Sequence, residues 1–282
     1  MSLASVDVIS FLKYILVAFV QGVAEILPIS SSGHIQVVER ILQMESSLSL
    51  SIFLHAGSLI AVILYFHKEI GSMIRYFFRF IFRHDRSEEA KRYFRMDIML
   101  IIATIPAALI GVFLNDWIEK VFGSLLVVGI NFLVTGVILI LISLLKFERK
   151  IEEMSYLDAV VVGCAQAVGV LPGISRSGIT ISGLKACKFN NNDAANFAFL
   201  MFIPISAGSF FYELLHIFKG ESDFSSSLVG PYIVGILVAG VVTYLALHLL
   251  LKIIRKGKLW YFSIYLFIIG ITVIVLSATH VL

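Results

Sequence analysis

The chain has 282 residues, of which 59% are hydrophobic and 15% charged, with a mean hydropathy of +0.96 and a net charge of only +3. A soluble domain of this length carries more charge, and here the apolar residues come in long blocks instead of amphipathic stripes. This composition excludes an ordinary soluble fold, gives no reason to expect a nucleic-acid partner, and predicts an all-α polytopic membrane protein built as one membrane domain over residues 1–282.

The first apolar stretch, about 6–42, carries Gln21 and Glu25 and runs into a cluster of hydroxyls with no small-residue cleavage site, so no cleavable signal peptide is expected. Spans are then predicted at about 48–67, 97–115 and 124–145. Ser124–Leu145 contains no charge and is long enough to cross a hydrocarbon core of ~30 Å. A second broken stretch follows at about 157–188, then spans at about 194–217, 228–251 and 259–280. Both broken stretches are interrupted by Pro, Gly and hydroxyl residues. Such backbone survives at membrane depth only when buried in protein or lining a wet cavity, so both are read as re-entrant helix hairpins. The two cysteines, Cys164 and Cys187, lie in apolar surroundings and suggest neither a disulfide framework nor a metal cluster.

Charge sets the orientation. The segment Lys68–Arg95 holds Lys68, Arg75, Arg79, Arg83, Arg86, Lys91, Arg92 and Arg95, so the positive-inside rule places it in the cytoplasm. Alternation then puts Asn115–Gly123 outside, Lys146–Tyr156 inside, Lys219–Ser227 outside, Lys252–Lys258 inside, and both termini outside.

The broken stretches resemble each other. At an offset of 145 residues Gln21 meets Gln166, Val23 meets Val168, Ser30 meets Ser175, Ser32 meets Ser177 and Gly33 meets Gly178. Further on, Ala56-Gly57-Ser58 resembles Ala207-Gly208-Ser209. This predicts a duplication: repeat 1 at about 1–145 and repeat 2 at about 146–282, each a hairpin plus three spans. An odd number of spans inverts the second repeat, so the hairpins enter from opposite sides and their tips meet near the midplane, as in many secondary transporters.

The tips carry complementary chemistry. The first places Gln21 and Glu25 on one helix face, then Pro28, Ser30-Ser31-Ser32, Gly33 and His34. An ionisable Glu at membrane depth is a functional candidate, and carboxylate, serine and imidazole together suit a nucleophile with an acid–base partner. The second reads Pro172-Gly173-Ile174-Ser175-Arg176-Ser177-Gly178-Ile179-Thr180. A guanidinium fork among hydroxyls suits phosphate oxygens, and a helix starting after Gly178 adds an anion-binding N-terminus. Taken singly, each has a plainer reading: the serines cap a broken helix, His34 is a satisfied interior histidine, and Arg176 neutralises Glu25.

With Gln21-xxx-Glu25, Leu27-Pro28-Ile29-Ser30-Ser31-Ser32-Gly33-His34, Pro172 to Thr180, and Leu54-His55-Ala56-Gly57-Ser58-Leu59-Ile60-Ala61-Val62, the chain resembles the undecaprenyl-pyrophosphate phosphatases, also called bacitracin-resistance proteins, over essentially its whole length. The resemblance implies a metal-assisted phosphatase of the bacterial cytoplasmic membrane. It would remove the terminal phosphate of a C55 isoprenoid pyrophosphate at a site open to the outer face, recycling the carrier for peptidoglycan and conferring bacitracin resistance. By carry-over, Ser31 is the nucleophile and His34 its acid–base partner. Glu25 either helps bind a divalent cation, Mg²⁺ or Ca²⁺, together with Gln21, or positions the reacting groups as a catalytic residue. Arg176 with Ser30, Ser32, Ser175, Ser177 and Thr180 holds the pyrophosphate. Many relatives carry Glu where this chain has Gln21. The partners are then substrate and membrane lipid, with a homodimer left open. An inverted-repeat transporter or flippase explains the architecture but not three hydroxyls beside a histidine. Another lipid phosphatase class shares Ser-Gly-His but needs a second histidine after its Ser-Arg, and none follows Arg176.

Overall fold

A computed structural model describes residues 8–45, 47–219, 224–225, 228–279 and 281. Among them the chain forms helices α1 (Val8–Ile26), α2 (Ser31–Ile41), α3 (Leu48–Tyr65), α4 (His67–Phe82), α5 (Glu88–Phe122), α6 (Leu125–Ser143), α7 (Tyr156–Val168), α8 (Arg176–Ala186), α9 (Asn191–Lys219), α10 (Val229–Arg255) and α11 (Trp260–Ala278). The described residues contain no strand, only an isolated bridge between Arg149 and Phe189.

Six helices, α1, α5, α6, α9, α10 and α11, are individually long and apolar enough to cross a membrane, and α3 joined to α4 makes a seventh candidate bent by 75°. Their outer faces carry the large apolar side chains that a soluble protein would bury, among them Val112, Phe113, Leu141, Leu237 and Ile268, all more than half exposed. The chain is thus an all-α polytopic membrane protein. Five of the expected spans correspond to α5, α6, α9, α10 and α11. The end of the sixth expectation, 48–67, is where the chain turns at Phe66 into α4, and the segment expected as a basic loop is largely helical. α4 is amphipathic, with Arg75 and Arg79 on a helix that exposes Ile74 and Phe78. Hydropathy alone does not register such a helix. α5 starts nine residues before the expected 97 because Ser87 caps it, accepting from the Ala90 amide, and Glu88 and Glu89 favour its first turn.

The helices pair in two matching sets. α1 packs on α2 and α10, and α7 packs on α8 and α5; α3 lies against α9, and α6 runs along α11. Small residues permit the closest approaches. A Cβ on Gly57 would lie 2.3 Å from the Ile236 carbonyl oxygen, and one on Gly22 would lie 2.7 Å from that of Ala239. α10 therefore sits between α1 and α3, where the Thr243 hydroxyl is 3.1 Å from the Gly22 carbonyl and 2.9 Å from the Ser58 hydroxyl. α6 supports both chain breaks: Phe132 covers Gly33, Asn131 donates to the Pro172 carbonyl at 2.6 Å, and Thr135 accepts from the Ser175 amide at 3.3 Å.

Candidate active site

The breaks α1–α2 and α7–α8 are built alike. Ser30 and Ser175 are the N-caps of α2 and α8, each accepting from the amide three residues on, Gly33 at 3.4 Å and Gly178 at 3.1 Å. Each cap hydroxyl also lies 3.3 Å from the hydroxyl two residues on, Ser32 or Ser177. These bonds satisfy helix-start donors that would otherwise be orphaned at depth. Gly173 supplies the second turn at φ +87°, and a Cβ there would lie 2.6 Å from the Val128 carbonyl oxygen. At the first turn the left-handed position falls on Ser30 itself, at φ 72°, a conformation costing a non-glycine residue about 1–2 kcal/mol. The tips touch: Ser177 donates to the Leu27 carbonyl at 3.3 Å.

Ser31 and Arg176, the first residues of the two capped helices, converge on one carboxylate. Ser31 Oγ donates to Glu25 Oε2 at 2.5 Å and Arg176 Nη2 to Glu25 Oε1 at 2.6 Å. The Glu25 side chain is 1% exposed and that of Arg176 26% exposed, so the pair closes the floor of a site whose cationic side remains accessible. The guanidinium also lies 5.1 Å over the Phe202 ring, with Nη1 3.5 Å from the Ser206 hydroxyl. Gln21 is buried one helical turn before Glu25 and donates to Oε2 at 3.0 Å.

Two placements differ from the sequence reading. Ser31 and His34 were expected to pair, and they do not. His34 is 8% exposed. Its Nδ1 donates to the Ser30 carbonyl at 2.8 Å, so Nε2 accepts from the Tyr265 hydroxyl at 2.7 Å, with Phe132 and Tyr265 against the ring. Four residues along α2 rotate the imidazole away from the carboxylate and make it a brace for the backbone at Ser30. Thr180 is likewise turned inward: buried, it donates to the Arg176 carbonyl at 2.8 Å and holds α8, not the accessible side.

The sequence reading missed His55. From α3 its Nδ1 lies 3.2 Å from Glu25 Oε2 and 2.9 Å from Gln21 Nε2. The available signal was an imidazole inside an otherwise apolar helix, in a stretch already noted for Ala56-Gly57-Ser58.

The described residues contain no group of three or more His, Cys, Asp or Glu fit to hold a metal ion. The donors at hand are a buried carboxylate, an imidazole and the Gln21 amide, whose buried Oε1 has no hydrogen-bond partner.

Comparison with known proteins agrees with the motifs. The family model described as bacitracin resistance protein BacA matches residues 14–272. The chain is similar to the undecaprenyl-diphosphatase of Carboxydothermus hydrogenoformans, with 37% identity covering 94% of this chain and 96% of that protein. It is similar to undecaprenyl-diphosphatase 3 of Bacillus anthracis at 36% identity, covering 94% and 97%. Undecaprenyl-diphosphatase 1 of Bacillus licheniformis is also 36% identical, over 96% of this chain and the whole of that one.

Proposed function

Because the chain belongs to the bacitracin resistance protein BacA family, we infer that it is an integral membrane phosphatase converting undecaprenyl pyrophosphate to undecaprenyl phosphate and inorganic phosphate. The observation that carries this reading is the convergence of Ser31 and Arg176 on Glu25, from two capped breaks far apart in sequence. A transporter site needs the cation and the helix N-termini, but not a hydroxyl hydrogen-bonded to a buried carboxylate.

Ser31 Oγ attacks the terminal phosphorus while Glu25 takes its proton. The bond from that phosphorus to the bridging oxygen breaks, undecaprenyl phosphate leaves, and water then cleaves the phosphoserine, returning a proton to Oγ. Arg176 and the N-termini of α2 and α8 oppose the charge on the phosphoryl oxygens. Ser32, Ser175 and Ser177 line the same turns, while Ser30 sets their geometry.

Glu25 and Gln21 fit a divalent cation, expected as Mg²⁺ or Ca²⁺: the unpartnered Gln21 Oε1 is an oxygen with no other duty, and one carboxylate plus substrate oxygens is a usual complement. Such an ion would supply charge neutralisation to the pyrophosphate.

Our reading of the architecture is an inverted duplication in the cytoplasmic membrane, each half a re-entrant hairpin with three spans, and the site open to the outer face. The matched helix pairings and the twin caps support the duplication, and the basic segment Lys68–Arg95 supports the orientation. The decisive assay is phosphate release from undecaprenyl pyrophosphate by purified protein, with and without chelator. No release at any metal concentration overturns the activity.

A further inference from the structure

We propose that α4 is an interfacial anchor that binds the headgroups of anionic phospholipid through a strip of basic side chains, with its exposed apolar face sunk among the acyl chains beside them. This surface lies outside the two capped breaks, and its occupant is independent of the reaction assigned to them.

α4 has three faces. At about 100° per residue, Met73, Tyr76 and Phe80 point one way, and this face packs inward. Met73 is buried, Tyr76 stacks on Tyr93 of α5 with ring centres 5.0 Å apart, and Phe80 stacks on Phe94 at 4.1 Å. Ile74, Phe78, Ile81 and Phe82 form a second face and are between 40% and 69% exposed. Gly71 belongs to it as well, and a Cβ there would meet nothing within 4 Å. Lys68, Arg75 and Arg79 form the third face, along one edge of the apolar one, and Arg83 extends the strip past the helix end. Among the described residues Arg79 pairs with Asp85 at 2.7 Å, whereas Lys68, Arg75 and Arg83 are exposed and have no carboxylate partner.

Direction and charge say what covers the apolar face. α3 has 18 residues and is about 27 Å long, close to the thickness of a hydrocarbon core. The chain then bends by 75°, which lays α4 near the plane of the membrane that α3 crosses. Ile60 and Leu64 are 50% and 59% exposed on α3, and at helical spacing this apolar surface runs on across the bend to Gly71, Ile74 and Phe78. The lipid-facing side of the span thus continues onto α4. A helix divided in this way settles with its apolar face at the boundary between headgroups and acyl chains. The basic strip then stands at headgroup level, where each Lys or Arg attracts anionic lipid. A second copy of the chain fits this face less well. Packed face to face about a two-fold along the membrane normal, it would set two basic strips side by side, and like charges oppose that.

The test puts a fluorescent reporter on the apolar face. Phe78→Trp, with Trp117 and Trp260 replaced by Phe, is made in the full-length protein and reconstituted into phosphatidylcholine vesicles. Brominated phosphatidylcholine should quench the reporter, more strongly with bromine near the headgroup end of the acyl chain than near its methyl end. At equal mole fraction, brominated phosphatidylglycerol should bind about fivefold more strongly or better, the equivalent of one basic contact of roughly 1 kcal/mol. The triple change Lys68→Gln, Arg75→Gln and Arg83→Gln should keep the depth profile and bring the two lipids within about twofold of each other. Those three side chains are exposed and unpaired, so packing survives their loss, and an unchanged thermal melt checks it. Absence of quenching by either lipid, as a protein partner on this face would give, overturns the proposal. So does equal quenching by the two lipids before any charge is removed, or a preference for phosphatidylglycerol that survives the triple change. Strongest quenching from the methyl end would make α4 part of a span and overturns it too.

Discussion

Arg176 reaches across 151 residues of chain to donate to Glu25 at 2.6 Å, and that bond joins the two capped breaks into one site. Of the two plain roles open to Arg176, neutralising Glu25 is therefore made in the structure. Clamping phosphate is the further role, and substitution separates them.

Arg176→Lys keeps the charge and loses the planar fork. If the residue served only Glu25, the change would be nearly silent. Because a guanidinium can hold Glu25 with one nitrogen and offer others to phosphate, we expect kcat/KM to fall by about one to two powers of ten, the equivalent of a charge-assisted hydrogen bond of roughly 1.5–3 kcal/mol, with melting temperature little changed. Arg176→Ala should differ in kind: it leaves a buried carboxylate without its arginine, a loss of about 3–5 kcal/mol in stability. Wild-type kinetics for the lysine variant would leave Arg176 structural.

Ser31→Ala tests the nucleophile. Ser31 is partly exposed at the start of α2 and its hydroxyl donates to Glu25, so methyl replaces hydroxyl without disturbing the cap at Ser30. Turnover should drop by roughly four orders of magnitude or more while substrate binding and thermal stability persist. Phosphate release within tenfold of wild type, about a tenth of its rate or better, would remove Ser31 from the mechanism.

His34 is expected to act through the backbone. Its bond to the Ser30 carbonyl holds a residue in the left-handed region, and the next residue is Ser31. His34→Ala should lower both stability and kcat, and the remaining activity should keep the wild-type pH–rate profile. A profile that loses its acidic limb in the variant would instead make His34 the titrating base. Tyr265→Phe removes only the outer bond and should cost about 1 kcal/mol of stability with kcat changed less than threefold, a ratio of about 0.65 kcal/mol.

Much of this was legible in the sequence because membrane depth forbids unexplained polarity. Glu25, Ser31 and Arg176 stand out in apolar stretches, and the twin Ser-x-Ser-Gly runs align Ser30 with Ser175, each of which caps a helix. What the sequence concealed was direction and distance. His34 is three residues from Ser31, close enough to suggest a pair, yet helical rotation sends it to Tyr265 on α11. His55 is 30 residues from Glu25 in the chain, and only the packing of α3 beside α1 brings it to 3.2 Å. The turn at Phe66 was hidden because α4 is amphipathic and reads as a basic loop.

At the entry to α7, Asp158 accepts from Arg149 at 2.7 Å and from the Ser155 amide at 2.8 Å. The Arg149 guanidinium, aided by the Ser155 cap, holds its carboxyl well below the usual carboxylate range. A group lowered on folding stabilises above its unfolded value of about 3.9 and loses that contribution as pH falls through the folded value. Stability from this pair should thus be flat from pH 8 to about 5 and decline only below about pH 4. Asp158→Asn should cost about 1–2 kcal/mol at neutral pH and remove that part of the acid dependence, as read by thermal melts across pH.

The orientation rests on charge. Lys68–Arg95 is the most basic segment, and its helical form places Arg75, Arg79 and Arg83 along α4 and just past its end, where anionic lipid of the cytoplasmic leaflet would attract each by roughly 1 kcal/mol. The loop after α4 contains Arg86, whose guanidinium lies 3.9 Å over the Phe80 ring, on an exposed turn suited to a reporter. Arg86→Cys, in a background with Cys164 and Cys187 replaced, should resist an impermeant maleimide in intact cells and react fully after lysis. A cysteine at Asp116, in the segment on the opposite side, should label in intact cells. If the two patterns are exchanged, the chain is inverted and the break carrying Ser31 opens to the cytoplasm, which would move substrate hydrolysis to that side.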